Sequence, residues 1–207
     1  MIIGWFGLPR VGKTYLCCLT ALRYQRAGYQ IFSNVPIKGS YKITFEDIKN
    51  GVALPRRSVF VIDEVQKWAN AREWSSLPVQ LYNYFSQGGK MGVELFYTAQ
   101  DSSRVDKTLR EVTNYFYYVQ ALFPLSVSKP LPKDYKPNFF RRIIYVDVFT
   151  NNIDFSFVRN RKGSRDFEVI SPKNFKLFNS FYIIKGIEAF HKKEFEVWTN
   201  EDILLGN

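Results

Sequence analysis

The chain has only two cysteines and one histidine in 207 residues. The cysteines, Cys17 and Cys18, are neighbours in sequence, which excludes an ordinary structural disulfide between them. With His191 as the sole imidazole, a histidine-based triad has little to work with, and no His/Cys cluster suggests zinc. His191 itself reads as a surface or half-buried ring. No apolar run reaches the roughly 18 residues that a spanning helix needs, so no transmembrane segment is expected. The N-terminal stretch MIIGWFGLPR lacks a basic region ahead of its apolar run and lacks a cleavage-type ending. It does not read as a signal peptide, and the chain is expected to work inside a cell. Glycine (12) and proline (9) are too scarce for a low-complexity chain.

What is present is a globular composition, 46% hydrophobic and 23% charged. The length suits one domain, or a large domain with a small appendage. Aromatics are abundant at 17%, with 19 Phe and 13 Tyr, and most of them are expected in a core. Lysine and arginine (29) outnumber aspartate and glutamate (19), a net charge of +10 that favours polyanionic partners. The excess is spread along the chain: 15 basic and 9 acidic residues over 1–120, then 14 and 10 over 121–207.

Hydrophobic patterning alternates between strands and helices. Met1–Phe6 reads as a buried strand, and Tyr15–Ala27 as a helix stopped by Gly28. Tyr29–Ser33 is a second strand. Ile43–Asn50 is a short helix or turn, with Thr44 as N-cap and Asp47 three residues on. Ser58–Ile62 is a continuous β-branched and aromatic run, as in strands covered on both faces. Ser76–Gln87 suits a helix broken at Gly88–Gly92. Val93–Thr98 is a strand, Val105–Val112 a short helix and Tyr115–Ala121 a further strand. This order predicts an α/β fold with a mostly parallel central sheet flanked by helices. Prolines 124, 130, 132 and 137 then mark an extended loop. Ile143–Phe149 and Phe155–Arg159 follow, with Asn151-Asn152 suited to a hairpin turn between them. The chain is therefore divided into a core at 1–123 and a basic, strand-rich extension at 124–207 packed on the same domain.

Gly7-Leu8-Pro9-Arg10-Val11-Gly12-Lys13-Thr14 fits the phosphate-loop pattern G-x-x-x-x-G-K-[ST], in the strand-to-helix context it requires. Gly7 and Gly12 let the backbone curl so that its N–H groups converge on phosphate oxygens. Leu8, Pro9, Arg10 and Val11 complete the bend, Tyr15 follows it, and all five are expected to bind the nucleotide with Gly7, Gly12, Lys13 and Thr14. Lys13 supplies a cation to the β- and γ-phosphates, and Thr14 a hydroxyl to Mg²⁺. ATP and Mg²⁺ are the expected cofactors. Downstream, the Ser58–Ile62 run ends in Asp63-Glu64. Carboxylates at the C-terminal end of a parallel strand lie where ligands bind. Asp63 is expected to hold Mg²⁺ with Thr14, and Glu64 to polarise the attacking water. Phe96-Tyr97-Thr98-Ala99-Gln100 ends at the same rim, where the Gln100 amide can touch the γ-phosphate or the water.

With these elements placed, the chain resembles the FtsK–HerA superfamily of DNA-translocating ATPases, and within it the Zot-like viral branch. The resemblance is carried by Gly7–Thr14, Ser33-Asn34-Val35-Pro36, Val61-Ile62-Asp63-Glu64-Val65-Gln66, Gly88–Gly92 with the strand ending Thr98-Ala99-Gln100, and Val105-Asp106-Lys107-Thr108-Leu109-Arg110. It covers roughly residues 1–120. Asn174–Phe181 is loosely similar to a late aromatic segment of viral members. The resemblance implies a RecA-like sheet and a homo-oligomeric ring with nucleotide at each subunit interface. It also implies work on DNA: genome packaging, segregation or filamentous-phage extrusion. Family members often place an arginine before the sensor strand, aimed at the neighbouring subunit. Here that stretch has Lys90 instead, and Arg72, Arg104 or Arg110 are the other candidates for the role. Filamentous-phage members continue into a membrane helix, which leaves a packaging motor as the leading expectation here. Its setting would be the host cytoplasm or the virion, with a capsid protein or a membrane-associated virion protein as further partner.

Residues 129–185 hold 12 basic and 5 acidic residues. The densest group is Arg159, Arg161, Lys162 and Arg165, on an expected loop, suited to gripping DNA phosphates without reading sequence. Two other classes compete. One is a phage assembly subunit in which nucleotide binding organises a protein complex. The other is a small-molecule kinase, disfavoured because Asp63-Glu64 suits water activation and no arginine-rich lid is evident.

Overall fold

Short β-branched and aromatic runs without a polar alternate face suit strands covered on both sides, and the computed structural model places them so. It describes residues 1–67, 83, 87–90, 92–123, 143–150, 164–171, 173–174, 177–178 and 197–204. The strands β1 (Ile2–Phe6) and β4 (Ser58–Ile62) are buried at all five positions. With β2 (Gln30–Ser33), β3 (Tyr41–Lys42), β5 (Val93–Ala99), β6 (Tyr115–Ala121), β7 (Ile143–Thr150) and β8 (Ser164–Val169) they form one eight-stranded sheet. Its order is β3-β2-β4-β5-β1-β6-β7-β8. Pairing is parallel from β3 to β6 and antiparallel from β6 through β7 to β8.

Side chains alternate between two cores. One face carries Phe6, Phe60, Ile62, Leu95 and Tyr97. It is covered by α2 (Phe45–Lys49), through Ile48, and α3 (Lys107–Val112), through Leu109. The opposite face carries Trp5, Val59, Val61 and Phe96 beneath α1 (Lys13–Arg26) and its Leu16, Cys17, Ala21 and Leu22. Both cysteines are buried free thiols, and burial pushes each thiol well above its ordinary range. α2 is nucleated as the sequence predicts: Thr44 and Asp47 exchange side-chain and backbone hydrogen bonds in a reciprocal cap.

Differences from the sequence reading are local. α1 begins at Lys13 rather than Tyr15, because the phosphate bend closes directly into it. α3 begins at Lys107, since Val105 is extended and Asp106 caps the helix by accepting from the Thr108 N–H at 2.8 Å. β3, two residues long, has no patterning from which to expect it.

The expected hairpin across Asn151-Asn152 is corrected. β7 pairs with β8 in the register Ile143↔Val169 to Val148↔Ser164, and its other edge is taken by β6. Val148 therefore faces Ser164 and not a residue of 155–159; residues 151–163 themselves lie outside the described residues. Arg165, expected on a loop, stands on β8. Arg159, Arg161, Lys162, Arg72, His191, the proline-rich stretch and most of the helix expected over Ser76–Gln87 lie outside the described residues.

The end of the chain returns across the α1 face to the far edge of the sheet. The Tyr15 hydroxyl accepts from the Ser171 N–H (3.1 Å) and the Asn174 side-chain amide (2.8 Å), and its ring meets Phe178 edge-on. Phe178 bridges to Ile37. The Trp198 indole donates to the Ser33 carbonyl at 3.2 Å, and Lys42 lies over its ring. A short helix, α4 (Asn200–Leu204), follows.

Candidate nucleotide site

The bend between β1 and α1 is built from backbone that only certain residues tolerate. Gly7 has φ 139° and Gly12 φ 100°. A Cβ on Gly7 would lie 2.3 Å from the Val119 carbonyl oxygen of β6, so close approach to the neighbouring strand also demands glycine there. Arg10 takes a left-handed φ of 64°. The Gly7 N–H donates to the Gln100 carbonyl at 3.3 Å, tying the bend to the end of β5.

Gly12 occupies the N-cap of α1 and offers no side chain to its first-turn N–H groups, and no acidic residue sits in that turn. A fourteen-residue helix that starts so has the first-turn N–H groups and dipole suited to an anion, with no side-chain cap and no acidic residue competing for them. Lys13 adds a cation. Its ammonium donates to the Leu8 carbonyl at 2.8 Å, arching over the bend. Burial pulls the ammonium below the ordinary lysine range, against the opposing pull of Asp63 and Glu64.

Asp63 lies at the end of β4, with β5 between it and β1. The gap is crossed by hydroxyls. Thr14 donates to Asp63 Oδ1 at 2.8 Å, and Thr98 of β5 donates to the same oxygen at 2.7 Å. Burial raises the Asp63 carboxyl above the usual carboxylate range, and the Thr98 and Thr14 hydrogen bonds oppose the rise. A hydroxyl and a desolvated carboxylate in contact are hard oxygen donors of the kind Mg²⁺ takes, and a cation would relieve the buried charge. Thr14 and Asp63 therefore fit the metal assigned to them. On the other side of Asp63 lies Asn34. Its Oδ1 accepts from the Asp63 N–H at 2.8 Å, and its Nδ2 donates to the Asp63 carbonyl at 3.0 Å.

Glu64 adopts a left-handed φ of 53°, and its N–H donates to Thr98 Oγ1 at 2.9 Å. Its carboxylate pairs with Lys67 at 2.5 Å. The Gln100 side-chain oxygen accepts from Arg104 at 3.0 Å.

The structure thus gathers Gly7, Gly12, Lys13, Thr14, Asp63, Glu64 and Gln100 on one rim of the sheet. It does not gather the rest. The Tyr15 side chain turns away from the bend to the returning chain end. Val11 is buried in the core on the α1 side, while Leu8 is exposed. Lys90 is exposed just before β5, at the opposite end of the strand from Gln100. Arg110, on α3, acts electrostatically on the Tyr97 and Tyr118 hydroxyls, on the face away from α1. Sequence reasoning quoted Asn34 and Thr98 in family motifs without a role. The readable signal for Thr98 was a hydroxyl at the penultimate position of a largely apolar strand.

Residues 40–128 match the family model of zonular occludens toxin (Zot). Over that segment the chain is similar to Zot. The matched segment contains Asp63, Glu64, Thr98 and Gln100 but not the phosphate bend, so it is an observation separate from the bend's own motif. Among solved structures, the N-terminal domain of zonular occludens toxin from Neisseria meningitidis is similar with a TM-score of 0.60 and 16% identity, over 86% of this chain and 98% of that one. The genome packaging NTPase B204 from Sulfolobus turreted icosahedral virus 2, in complex with ATP-gammaS, is similar with a TM-score of 0.51 and 9% identity, over 82% and 98%. No curated protein sequence matches. At these identities the likeness shows the fold alone, a mostly parallel central sheet with flanking helices similar to the P-loop NTPase folds of Zot and B204. Among the described residues, no helix is long and apolar enough to cross a membrane.

Proposed function

We propose that this chain is an ATP-hydrolysing subunit of a viral DNA-translocating motor that packages a genome. One observation carries the catalytic part: the Thr14 hydroxyl meets the Asp63 carboxylate beside an uncapped helix start and a buried lysine. Backbone N–H groups of the bend from Arg10 to Thr14 bind the phosphates, and Lys13 leaves the Leu8 carbonyl to meet them. Thr14 and Asp63 would hold Mg²⁺, which would supply charge neutralisation at the phosphate oxygens. Glu64 accepts the proton of the attacking water once its carboxylate is released from Lys67. Gln100 orients that water or the terminal phosphate.

The DNA part rests on charge and on likeness. The net charge is +10, and a similar fold belongs to a protein described as a genome packaging NTPase. Arg159, Arg161, Lys162 and Arg165 grip the phosphate backbone without reading sequence, as a motor that moves over any sequence requires. The chain works as a homo-oligomeric ring, with Lys90, Arg104 or Arg110 reaching the neighbour's nucleotide. Its place is the host cytoplasm or the virion, beside a capsid or membrane-associated virion protein.

The test is ATP turnover with and without DNA, together with a mass measurement for oligomers. Lys13→Ala should remove turnover, by about 10²–10⁴ in rate. Unimpaired turnover would sink the site assignment.

A second reading is favoured by the higher TM-score to the Zot domain, 0.60 against 0.51. In it the ATPase drives filamentous-phage assembly or extrusion by acting on a protein complex. Turnover indifferent to DNA, with no salt-dependent DNA binding, would select it.

A further inference from the structure

We infer that Asn34 is a positioning residue for the acid pair, its carboxamide standing in for the strand neighbour that Asp63 lacks. The inference rests on the nucleotide reading above and adds a residue to it. The β2–β4 ladder ends at Ser33↔Val61, where the Asn34 N–H still reaches the Val61 carbonyl at 3.3 Å. Past that point the two chains part. Glu64 turns left-handed and residues Val65–Lys67 coil into a 3₁₀ turn. The Asp63 peptide groups lose their strand partner while Asp63 stays 8% exposed. Buried peptide groups need partners.

Asn34, itself 5% exposed, supplies both from one side chain, accepting from the Asp63 N–H and donating to its carbonyl. Among side chains of this length only a carboxamide offers an acceptor and a donor in one plane, as a peptide does. Aspartate can accept but has no donor for the carbonyl when ionised, and alanine offers neither. Thr98 holds the same two residues from β5, through the Asp63 carboxylate and the Glu64 N–H. The acid pair is therefore braced from both neighbouring strands. Removing Asn34 frees the Asp63 peptide to turn, and the carboxylate moves off Thr14. The phosphate bend sits two strands further along the sheet, so its hold on an anion is left in place.

The prediction is a split between metal-dependent and metal-independent behaviour. A fluorescent ATP analogue is titrated into wild type, Asn34→Ala and Asn34→Asp, in EDTA and then in Mg²⁺. Thermal midpoints and the Mg²⁺ dependence of turnover are measured alongside. Binding in EDTA should stay within about two-fold of wild type, while the tightening by Mg²⁺ is lost and the half-saturating Mg²⁺ rises about 10-fold or more. The rate at saturating ATP should fall about 10–100-fold, more in Asn34→Asp, whose added charge faces the Asp63 carbonyl. If Asn34→Ala does not fold, Asn34→Ser, which keeps one hydrogen bond, carries the test with a smaller shift in the same direction. A wild-type Mg²⁺ response in the variants overturns the brace alone. So does loss of EDTA binding in step with a fall in thermal midpoint, which marks a general structural role. A wild-type chain that neither binds nor turns over ATP overturns the functional reading and the brace with it.

Discussion

The strands that bear the site and the strands that close the sheet handle polarity in opposite ways. β1 and β4 are buried along their whole length, and their polar chemistry begins only where they stop, at Gly7 and at Asp63. β7 alternates between buried and half-exposed positions, so its polar residues, Asp147 among them, lie along the strand and not at its end. The first arrangement concentrates function at a rim, because a strand covered on both faces can present a group to solvent only at its tips. The second leaves a flank that tolerates charge along its length, beside the edge strand β8.

The comparison is sharpened most by breaking the rim. Glu64→Gln keeps the shape and hydrogen-bonding length of the side chain but removes its basicity. It should bind ATP like wild type and lose about 10²–10⁴ in turnover, read by pairing a binding titration with a phosphate-release assay. Retained turnover would move the base elsewhere. Gly7→Ala probes the contact between the rim and β6. Its Cβ meets the Val119 carbonyl at 2.3 Å, at a φ of 139°. The expected cost is about 2–4 kcal/mol, a thermal midpoint lower by about 4–16 °C, together with lost nucleotide binding. Tyr15→Phe is the mildest, and it tests the join between the two parts. It removes the oxygen that receives the Ser171 and Asn174 donors, costing about 1–2 kcal/mol in a denaturant titration. An unchanged midpoint would mean that the returning chain end is held by Phe178 packing alone.

These contrasts explain what could be read from the sequence. The ends of β4 and β6 were legible to the residue because SVFVI and YFYYVQA are bounded by turn-formers and by an acid pair. The phosphate bend was legible because its glycines are dictated by backbone geometry, which leaves few alternatives. The partner of β7 was not. Asn151-Asn152 satisfies a local rule for a tight turn, but register was settled by which edge of β7 remained after β6 had paired, a long-range outcome no window of sequence contains. Asn34 was visible only as part of a motif. Its role depends on where the β2–β4 ladder runs out, which is a property of two strands together. Tyr15 was assigned to the bend by adjacency, and its side chain instead serves residues more than 150 positions away.

That last distance bears on how the molecule is made. Tyr15 must wait 159 residues for Asn174, and the Ser33 carbonyl 165 residues for Trp198. A ribosome adding about 5–20 residues per second leaves the back of α1 and the outer sheet edge bare for roughly ten to thirty seconds. During that interval the bend, both acids and their threonines have already emerged, yet the helix they share has no cover. The nascent chain therefore offers Tyr15 and Ile37 to chaperones, or to its own copies on the same message, until Phe178 arrives to cover them.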